Sequence, residues 1–435
     1  MAEIRPFRGL HYAQTDLSAL VCPPFDVISP EEQRRLYERS PFNAVRLEYG
    51  ETSPDDTPSQ NRYTRAAATL REWLQHGVLV RDDALAVYVG DQQFSHEARP
   101  FARRSLFARV RLHDWNEGPV RPHERTLNRP IEDRIRLLQA CRLNISPILS
   151  LYRDDDARVR DSVESACHAA HLLTRADVNG EKHTLRRLSD DTALEPLARL
   201  LREKTFYVID GHHRYETALA YLKERRSQAQ TWAGDEPENF VLMALIARED
   251  PGVVVLPTHR LLCNVALPDH FIGLLEGDFA VEDVSAAVSS GGWRKMESSL
   301  SQAAERGVAF GLATSDGHRL ILRVRDTEIV ARHMPSDSPA SWSSLDAAVL
   351  EAIVLRDILR IDQQSAATEA SLTFTHDGEE ALRLVESGDC MVAFLLSPAP
   401  VEQVLSMADA GERMPQKSTY FYPKLPAGLV MNPLD

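Results

Sequence analysis

The segment FYVIDGHHRYETALAYL, residues 206–222, joins a short apolar run to a dense group of polar side chains. That group consists of Asp210, Gly211, His212, His213 and Arg214. A glycine permits a tight turn and close approach of a ligand to the backbone, and the first amides of a helix favour an anion. Guanidinium and imidazole groups donate further hydrogen bonds to phosphate oxygens. The segment therefore predicts a phosphate-binding turn between a strand and a helix.

Asp210 is the residue that such a turn does not explain by itself, because a carboxylate repels a bare phosphate. It fits if it holds a histidine in one tautomer, or if it binds a Mg²⁺ ion that accompanies a nucleotide. Helix capping with surface polarity explains the same residues about equally well. Zinc binding is disfavoured, because adjacent histidines point in different directions and no matching cluster lies nearby.

A second group of reactive side chains lies upstream, in PVRPHERTLNRPIEDR, residues 119–134. Its members are His123, Glu124, Arg125 and Thr126. A carboxylate beside a histidine and an arginine can be tuned as a general base. A solvated, charged loop explains this segment more simply when it is taken alone. The two groups of residues can form one functional site only if both face the same cleft.

A third group lies near the end of the chain, in GERMPQKSTYFYPK. Arg413, Lys417, Ser418 and Thr419 could contact a substrate carboxylate or a phosphate, and the aromatic residues 420–422 could enclose a purine. The alternative is a packed terminal segment with its aromatic rings in the core, and we favour it for the aromatic residues. We favour a functional role for Lys417, because lysine is rarely buried without a partner.

The elements that must position these groups show mixed α and β periodicity. Residues 206–210 are typical of a buried strand, and the following segment with the TALA sequence is typical of a helix. A helix is predicted over 132–144, and a half-buried strand over 41–50 from its alternation. Acidic, helical segments around a turn at 179–180 are predicted within 154–205. A hairpin turn is predicted at 315–317.

Length and composition fit a soluble protein of several domains. The chain has 435 residues, with 50 basic and 64 acidic side chains and a formal charge of −14. No global basic field attracts nucleic acid or an anionic membrane, so neither is expected as a partner. No stretch is long and apolar enough for a membrane span, and the first residues do not resemble a secretion signal. The five scattered cysteines predict buried thiols in a reducing compartment, and hence a cytoplasmic protein.

The chain lacks the common phosphate, dinucleotide, metalloprotease and hydrolase motifs GxxxxGK[ST], GxGxxG, HExxH and GxSxG. The order that it does have, PHE, a helix, and a strand ending in DGHHR before a helix, resembles the ParB/sulfiredoxin superfamily and within it the free-serine-kinase branch. Over its length the sequence is identified as a member of the bacterial domain-of-unknown-function family 1015. The motifs that carry this resemblance are RPFRGLHY, PPFDVISPEEQ, PHERT, DGHHRYETALAY, PTHR and MPQKSTYFYPKL.

The resemblance implies a fold and a division of the chain. The expected class is mixed α/β, with a ParB/sulfiredoxin-like domain at 105–228 between an N-terminal region, 1–104, and a C-terminal domain, 229–435. Glu124 and Asp210 are 210 − 124 = 86 positions apart, which is more than in compact members, so 154–205 is expected to be an insertion. Histidine replaces the sulfiredoxin cysteine, which argues against sulfinic-acid repair. No DNA-binding helix-turn-helix pattern supports a partitioning role.

The resemblance also implies roles for individual residues. In the kinase branch the glutamate of the PHE motif deprotonates the acceptor hydroxyl, a role that falls on Glu124. The catalytic residues predicted in this way are His123, Glu124 and Asp210. Those predicted to bind nucleotide or phosphate are Gly211, His212, His213, Arg214 and Thr217.

The sequence thus predicts nucleotide-dependent phosphoryl transfer to a small hydroxyl-bearing metabolite, with free serine as the first candidate acceptor. ATP or ADP and Mg²⁺ are the expected cofactors, and phosphoryl transfer needs mainly positioning and charge neutralisation from the protein. One alternative is a regulatory module that binds or slowly hydrolyses a nucleotide without an acceptor. Another is a scaffold without a ligand.

Overall fold

A computed structural model describes residues 1–115, 117–125, 128–168, 170–336, 338–361 and 371–435. Within these ranges the chain forms two compact units, Met1–Val254 with Pro423–Asp435, and Val255–Tyr422. Both units contain helices and strands, which confirms the predicted mixed α/β class. The units do not coincide with the three predicted regions, and the ParB/sulfiredoxin-like character of 105–228 stays a prediction.

The strands differ greatly in length, and the longest lie in the first half of the chain. In chain order the strands are β1 (Ile4–Arg5), β2 (Leu10–Tyr12), β3 (Leu79–Arg81), β4 (Val87–His96), β5 (Arg99–Arg111), β6 (Val120–Pro122), β7 (Leu143–Asn144), β8 (Ile148–Tyr152), β9 (His171–Val178), β10 (Glu181–Leu188), β11 (Phe206–Asp210), β12 (Phe240–Ala247), β13 (Val254–Leu256), β14 (His259–Leu262), β15 (Phe279–Asp283), β16 (Ala309–Thr314), β17 (Arg319–Val324), β18 (Leu372–Thr375), β19 (Val392–Leu395), β20 (Tyr420–Tyr422) and β21 (Asn432–Pro433).

The helices alternate with these strands over most of the described chain. In chain order the α-helices are α1 (Pro30–Arg39), α2 (Val45–Glu48), α3 (Arg62–Gln75), α4 (Asn128–Cys141), α5 (Arg158–Cys167), α6 (Asp191–Arg202), α7 (His212–Gln228), α8 (Phe271–Leu275), α9 (Ser285–Ala304), α10 (Thr327–His333), α11 (Asp346–Val349), α12 (Gly378–Glu386) and α13 (Val401–Asp409). Helix α11 continues as a π-helix over Leu350–Ile358, and 3₁₀ turns lie at Phe25–Val27, Pro237–Asn239 and Ala340–Ser344. Among the described residues, none of the helices has both the length and the apolar character needed to cross a bilayer.

The first unit is built on a nine-stranded sheet. Eight of its strands follow the order β6-β11-β8-β12-β5-β4-β10-β9, and β1 pairs with β5. Strands β6 and β11 are parallel, as are β8 and β12, whereas β11 and β8 are antiparallel. All residues of β8 and β11 are buried, as expected for largely apolar strands that are covered on both faces. Helix α7 packs into the same core through Tyr215, Ala218 and Leu219.

The second unit has its own six-stranded sheet, in the order β15-β17-β16-β19-β14-β18. One cluster of buried residues joins this sheet to α9 and α12, and another joins it to α8, α10 and α11. Strands β16 and β17 pair across the turn at 315–317, which confirms the predicted hairpin. Gly317 has a φ of 103°, the left-handed conformation that favours glycine in such turns.

The strand predicted over 41–50 is wrong, because this segment contains α2. The Asn43 side chain sets up the helical turn: its Oδ1 accepts from Val45 N at 3.0 Å, and its Nδ2 donates to Ala19 O at 2.8 Å. Val45, Leu47 and Glu48 are all buried, so the alternation that predicted a strand does not separate an inner from an outer face. Local side-chain hydrogen bonds decided the conformation here.

The prediction for 154–205 is only half right. The turn at 179–180 exists, with φ values of 55° at Asn179 and 84° at Gly180, but it joins β9 to β10 as a hairpin rather than two helical segments. Helices α5 and α6 lie outside the hairpin. The alternating burial of β9 and β10 shows one inward and one outward face, the two-residue period of a strand.

The prediction of five thiols is also wrong, because Cys263 and Cys390 form a disulfide. Cys263 follows β14 and Cys390 precedes β19, and these strands are antiparallel neighbours in which Leu262 lies opposite Val392. Strand pairing therefore brings together two cysteines that are 127 positions apart. The remaining cysteines, Cys22, Cys141 and Cys167, are free thiols. The inference of a reducing compartment was based on five free thiols, and two of the five cysteines are in this disulfide.

Candidate functional site

Two neighbouring parallel strands deliver the first two predicted groups to one edge of the sheet. Val120, Arg121 and Pro122 of β6 lie opposite Phe206, Tyr207 and Val208 of β11. Both strands run in the same direction, so His123 and Glu124 leave β6 at the edge where β11 ends in Asp210. The PHE and DGHHR motifs, in which Glu124 and Asp210 are 210 − 124 = 86 positions apart, are therefore adjacent in space.

Gly211 forms the turn from β11 into α7. Its φ is 91°, in the left-handed region, and the helix begins at the next residue. A Cβ atom at this position would lie 3.0 Å from the Arg214 guanidinium, so a larger residue meets both backbone strain and crowding. The first amides of a helix have no acceptors within it and carry the positive end of its dipole. This geometry suits an anion in front of His212 and His213.

The Asp210 carboxylate is buried at the base of this turn between two cations. One oxygen accepts a hydrogen bond from the Lys424 ammonium, and the other accepts from the Arg214 guanidinium. Burial alone would raise the pKa of Asp210, but the two neighbouring cations outweigh it and hold the pKa of this carboxyl well below its usual range. Arg214 also donates to Pro147 O, just before β8. Asp210 therefore acts as the anchor of a charged cluster and is a poor proton acceptor.

His123 is completely buried beside the same cluster. Its Nδ1 lies 2.7 Å from Val208 O, and since a carbonyl oxygen can only accept, Nδ1 carries the proton. Burial lowers the pKa of His123 to about 4, and the Lys424 ammonium lowers it as well. The ring is thus neutral at pH 7, with the lone pair on Nε2.

Contacts between the two motifs are direct. His123 N donates to His212 Nε2 at 3.4 Å, and the two rings meet edge to face with their centroids 4.7 Å apart. Glu124 Oε2 lies 3.9 Å from His123 Nε2, and its side chain is partly exposed. Glu124 therefore lies at the rim of a site whose interior is formed by His123, His212 and Asp210.

The first turn of α7 is fixed from the other side by the segment that follows β5. The Tyr215 hydroxyl accepts from His113 N at 3.0 Å and donates to His113 O at 2.8 Å. The Trp115 ring stacks on Tyr215 with centroids 4.1 Å apart, and Trp115 Nε1 donates to Glu216 Oε1 at 2.9 Å. This packing orients His212 without using any of the predicted site residues.

The structure places the other predicted residues in different surroundings. Arg125 is exposed beside Glu124, and Thr126 lies outside the described residues. Thr217 is buried on α7, one turn beyond Arg214. The four residues of the third group belong to the second unit, where Ser418 Oγ donates to Pro415 O at 2.6 Å and Arg260 donates to Lys417 O at 3.3 Å.

The sequence analysis missed Lys424, which follows the third group by only a few residues. Lys424 lies in the terminal segment of the first unit, and the buried Arg103 fixes that segment by donating to Pro423 O at 2.6 Å. Burial lowers the pKa of Arg103 to about 10, although Asp250, Glu181 and Asp210 oppose this effect. The only sequence signal for Lys424 is its place in the motif MPQKSTYFYPKL, in which Lys417 is the lysine predicted to be functional.

Among the described residues, no group of three or more His, Cys, Asp or Glu side chains is arranged so that it could bind a metal ion. Both oxygens of Asp210 are engaged by cations. A Mg²⁺ ion at this carboxylate would share its oxygens with Lys424 and Arg214.

Fold and site together define a mixed α/β protein with a glycine-led strand-to-helix turn beside a His-Glu strand end. The chain belongs to the family described as "Protein of unknown function (DUF1015)", whose model matches residues 4–348. No curated protein matches the chain.

Similar solved structures include a mutant free serine kinase in complex with AMP, at 13% identity and a TM-score of 0.37, covering 75% of this chain and 92% of that one. A conserved hypothetical protein from Pyrococcus furiosus has 14% identity and a TM-score of 0.35, with 75% and 95% covered. The truncated SbnI from Staphylococcus aureus has 10% identity and a TM-score of 0.32, with 73% and 84% covered.

The buried ion pair between Asp210 and Lys424 predicts that substitutions of these two residues have strongly coupled effects on stability. We expect a double-mutant cycle of Asp210→Asn and Lys424→Met to give a coupling energy of about 1–3 kcal/mol, because each single change leaves a buried charge without one of its partners. Hydrogen exchange of peptides from β8 and β11 reports the free energy of unfolding of this unit. The matched control is the exposed pair Lys223 and Asp114, whose coupling should stay below about 1 kcal/mol. Equal coupling in the two cycles would contradict the buried cluster.

The depressed pKa of His123 predicts a loss of stability in mild acid. Its imidazole should bind a proton below pH 6.5 when unfolded, but only near pH 4 when folded, so lowering the pH favours unfolding. We expect the free energy of unfolding to fall by about 2 kcal/mol more between pH 7 and pH 5 in the parent than in His123→Gln. The same exchange measurement checks this difference, with the exposed His171→Gln as control. An unchanged pH dependence in His123→Gln would show that this ring titrates normally.

Proposed function

We propose that this protein is a nucleotide-dependent phosphotransferase that acts on a small hydroxyl-bearing metabolite, with free serine as the first candidate. The observation that carries the proposal is the contact between the two motifs at the ends of β6 and β11. A carboxylate, a buried neutral imidazole and a glycine-led helix start meet there, and phosphoryl transfer requires these functions to converge.

The phosphate side of the proposed site is the turn at Gly211 and the start of α7. Backbone amides at a helix start, together with the side chains of His212 and His213, would receive the phosphates of ATP or ADP. Lys424 and Arg214 add positive charge at this place, although the chain as a whole has a formal net charge of −14. A local cluster of cations is what a strongly acidic protein needs in order to hold a polyanion.

Mg²⁺ is part of the proposal as the companion of the nucleotide. When bound, it neutralises charge on the phosphate oxygens. Asp210 is the carboxylate at the base of the turn, and as a ligand it would share its oxygens with Lys424 and Arg214. The nucleotide would therefore supply most of the oxygen ligands.

On the acceptor side, Glu124 is the proposed general base. It is partly exposed at the rim, where an acceptor hydroxyl can reach it. Asp210, by contrast, is buried, and Lys424 and Arg214 hold the pKa of its carboxyl well below its usual range. His123 is locked by Val208 O in the tautomer that leaves a lone pair on Nε2, next to the Glu124 carboxylate. His123 thus lies against the proposed base, and the catalytic role predicted for it is part of this proposal.

The direct experiment incubates the full chain with ATP or ADP, Mg²⁺ and a pool of small hydroxyl-bearing metabolites that includes L-serine. Mass spectrometry then identifies phosphorylated products. The proposal expects a phosphate ester that depends on both nucleotide and acceptor. Nucleotide hydrolysis without such an ester would favour the regulatory module, and the absence of nucleotide binding would favour a scaffold.

Removing the proposed base should separate catalysis from binding. Glu124→Gln keeps the shape of the side chain and removes its basicity, so we expect turnover to fall by about 10²-fold or more while nucleotide affinity stays the same. Initial rates with acceptor and calorimetric titration with nucleotide measure the two quantities. Glu117→Gln, a change at an exposed position in the same part of the unit, is the matched control. Near-normal turnover in Glu124→Gln would reassign the base and leave His123 as the next candidate.

A further inference from the structure

A row of buried polar side chains crosses the sheet of the first unit, next to the hairpin of β9 and β10. His183 of β10 lies opposite Gln92 of β4, and Gln92 lies opposite Arg103 of β5. Residues directly opposite each other on paired strands point to the same face of a sheet, so these three side chains are neighbours. All three are almost completely buried. Glu181, two residues before His183 on β10, points to the same face.

The hydrogen bonds along this polar row run in one direction. A carboxylate oxygen only accepts, so Glu181 Oε2 receives a hydrogen bond from Gln92 Nε2 at 2.9 Å, which leaves the amide oxygen of Gln92 facing Arg103. Arg103 Nη2 donates to Gln92 Oε1 at 2.5 Å and to Pro423 O at 2.6 Å. The row therefore ends at the peptide group that joins Pro423 to Lys424.

The stability of the unit is a weak reason for such a row. Burial lowers the pKa of Arg103 to about 10, so its guanidinium is charged at pH 7 and needs acceptors inside the unit. Apolar side chains of similar volume often fill such a space with equal or greater stability. The geometry supplies another reason, because the row fixes the backbone from which the Lys424 side chain reaches the Asp210 carboxylate.

We propose that Glu181, Gln92 and Arg103 are positioning residues for Lys424, the cation at the base of the phosphate-binding turn. A lysine side chain is a flexible four-carbon chain, so its ammonium stays at a buried carboxylate only while the backbone beneath it is held. The effect on nucleotide binding rests on the proposed function. The hairpin of β9 and β10, within the segment 154–205 predicted to be an insertion, thereby becomes part of the support of the site.

Chemical labelling of lysines tests the positioning in the absence of nucleotide. An N-hydroxysuccinimide ester acylates accessible amines of the full chain, and mass spectrometry of the digested product gives the rate at each lysine. Arg103→Met keeps an unbranched side chain and removes the donor, so we expect Lys424 to react about fivefold faster or more, because the terminal segment opens more often. Lys223, whose side chain is 64% exposed, is the internal reference.

Arg104→Met is the matched control. Arg104 is the next residue of β5, its side chain points to the opposite face, and its Nε donates to Asp91 Oδ1 at 2.6 Å. This variant should leave the labelling of Lys424 unchanged. Unchanged labelling of Lys424 in Arg103→Met, or an equal increase in Arg104→Met, would overturn the proposal.

Gln92→Leu examines the row one residue further from Lys424, and it decides alone if Arg103→Met does not fold. Leucine occupies the space of Gln92 but offers Arg103 no acceptor, so the labelling of Lys424 should increase here as well. Gln93→Leu is the matched control, because Gln93 is exposed on the opposite face of β4. Parent-like labelling of Lys424 in Gln92→Leu would contradict a role for Gln92 and Glu181.

Calorimetric titration with ATP or ADP tests the consequence for the phosphate site. Arg103→Met and Lys424→Met should each weaken nucleotide binding about tenfold, and the double variant should bind no more weakly than Lys424→Met alone. A purely structural effect of Arg103 would instead add to the loss caused by Lys424→Met, and such additive losses would overturn the positioning role. If the parent binds no nucleotide, the proposed function fails, and the labelling rates still decide whether the row positions Lys424.

Discussion

The buried carboxylate of Asp210 is the interaction on which the rest of the candidate site depends. It lies at the end of β11, a strand whose residues are all buried, and it holds Lys424 and Arg214 in fixed places. Without those cations a carboxylate would not remain ionised at this depth. Without the carboxylate, two cations would be left together inside the unit. This mutual requirement ties the last residues of the chain to the strand-to-helix turn.

Residues of the same chemical type have different surroundings in this site, and we propose different roles for them. Asp210 and Glu124 are both carboxylates near the turn, but Asp210 is buried between two cations, whereas Glu124 lies at the rim near a neutral imidazole. His123 and His212 are in contact, yet His123 is locked to a strand carbonyl and His212 starts a helix. Surroundings rather than residue type therefore separate the anchor, the proposed base and the proposed phosphate contacts.

Much of this site could be read from the sequence, because its parts are local. A buried strand followed by Asp-Gly and a helix pattern predicts the turn, and the resemblance to the kinase branch implies that the PHE and DGHHR motifs serve one site. Lys424 could not be found in this way, since its partner is 214 positions away and only tertiary folding joins them. The disulfide between Cys263 and Cys390 depends in the same way on strand pairing. The error at 41–50 has a local cause, because the Asn43 side chain stabilises a helical turn within an alternating sequence.

The central claim is that the start of α7 holds nucleotide phosphate while Glu124 faces the acceptor. A crystal structure of the full chain with a non-hydrolysable ATP analogue, Mg²⁺ and L-serine tests it most directly. The account predicts the terminal phosphate at the amides of His212 and His213, and the serine hydroxyl between that phosphate and the Glu124 carboxylate. Phosphate density away from this turn, or an acceptor hydroxyl turned away from Glu124, would contradict it.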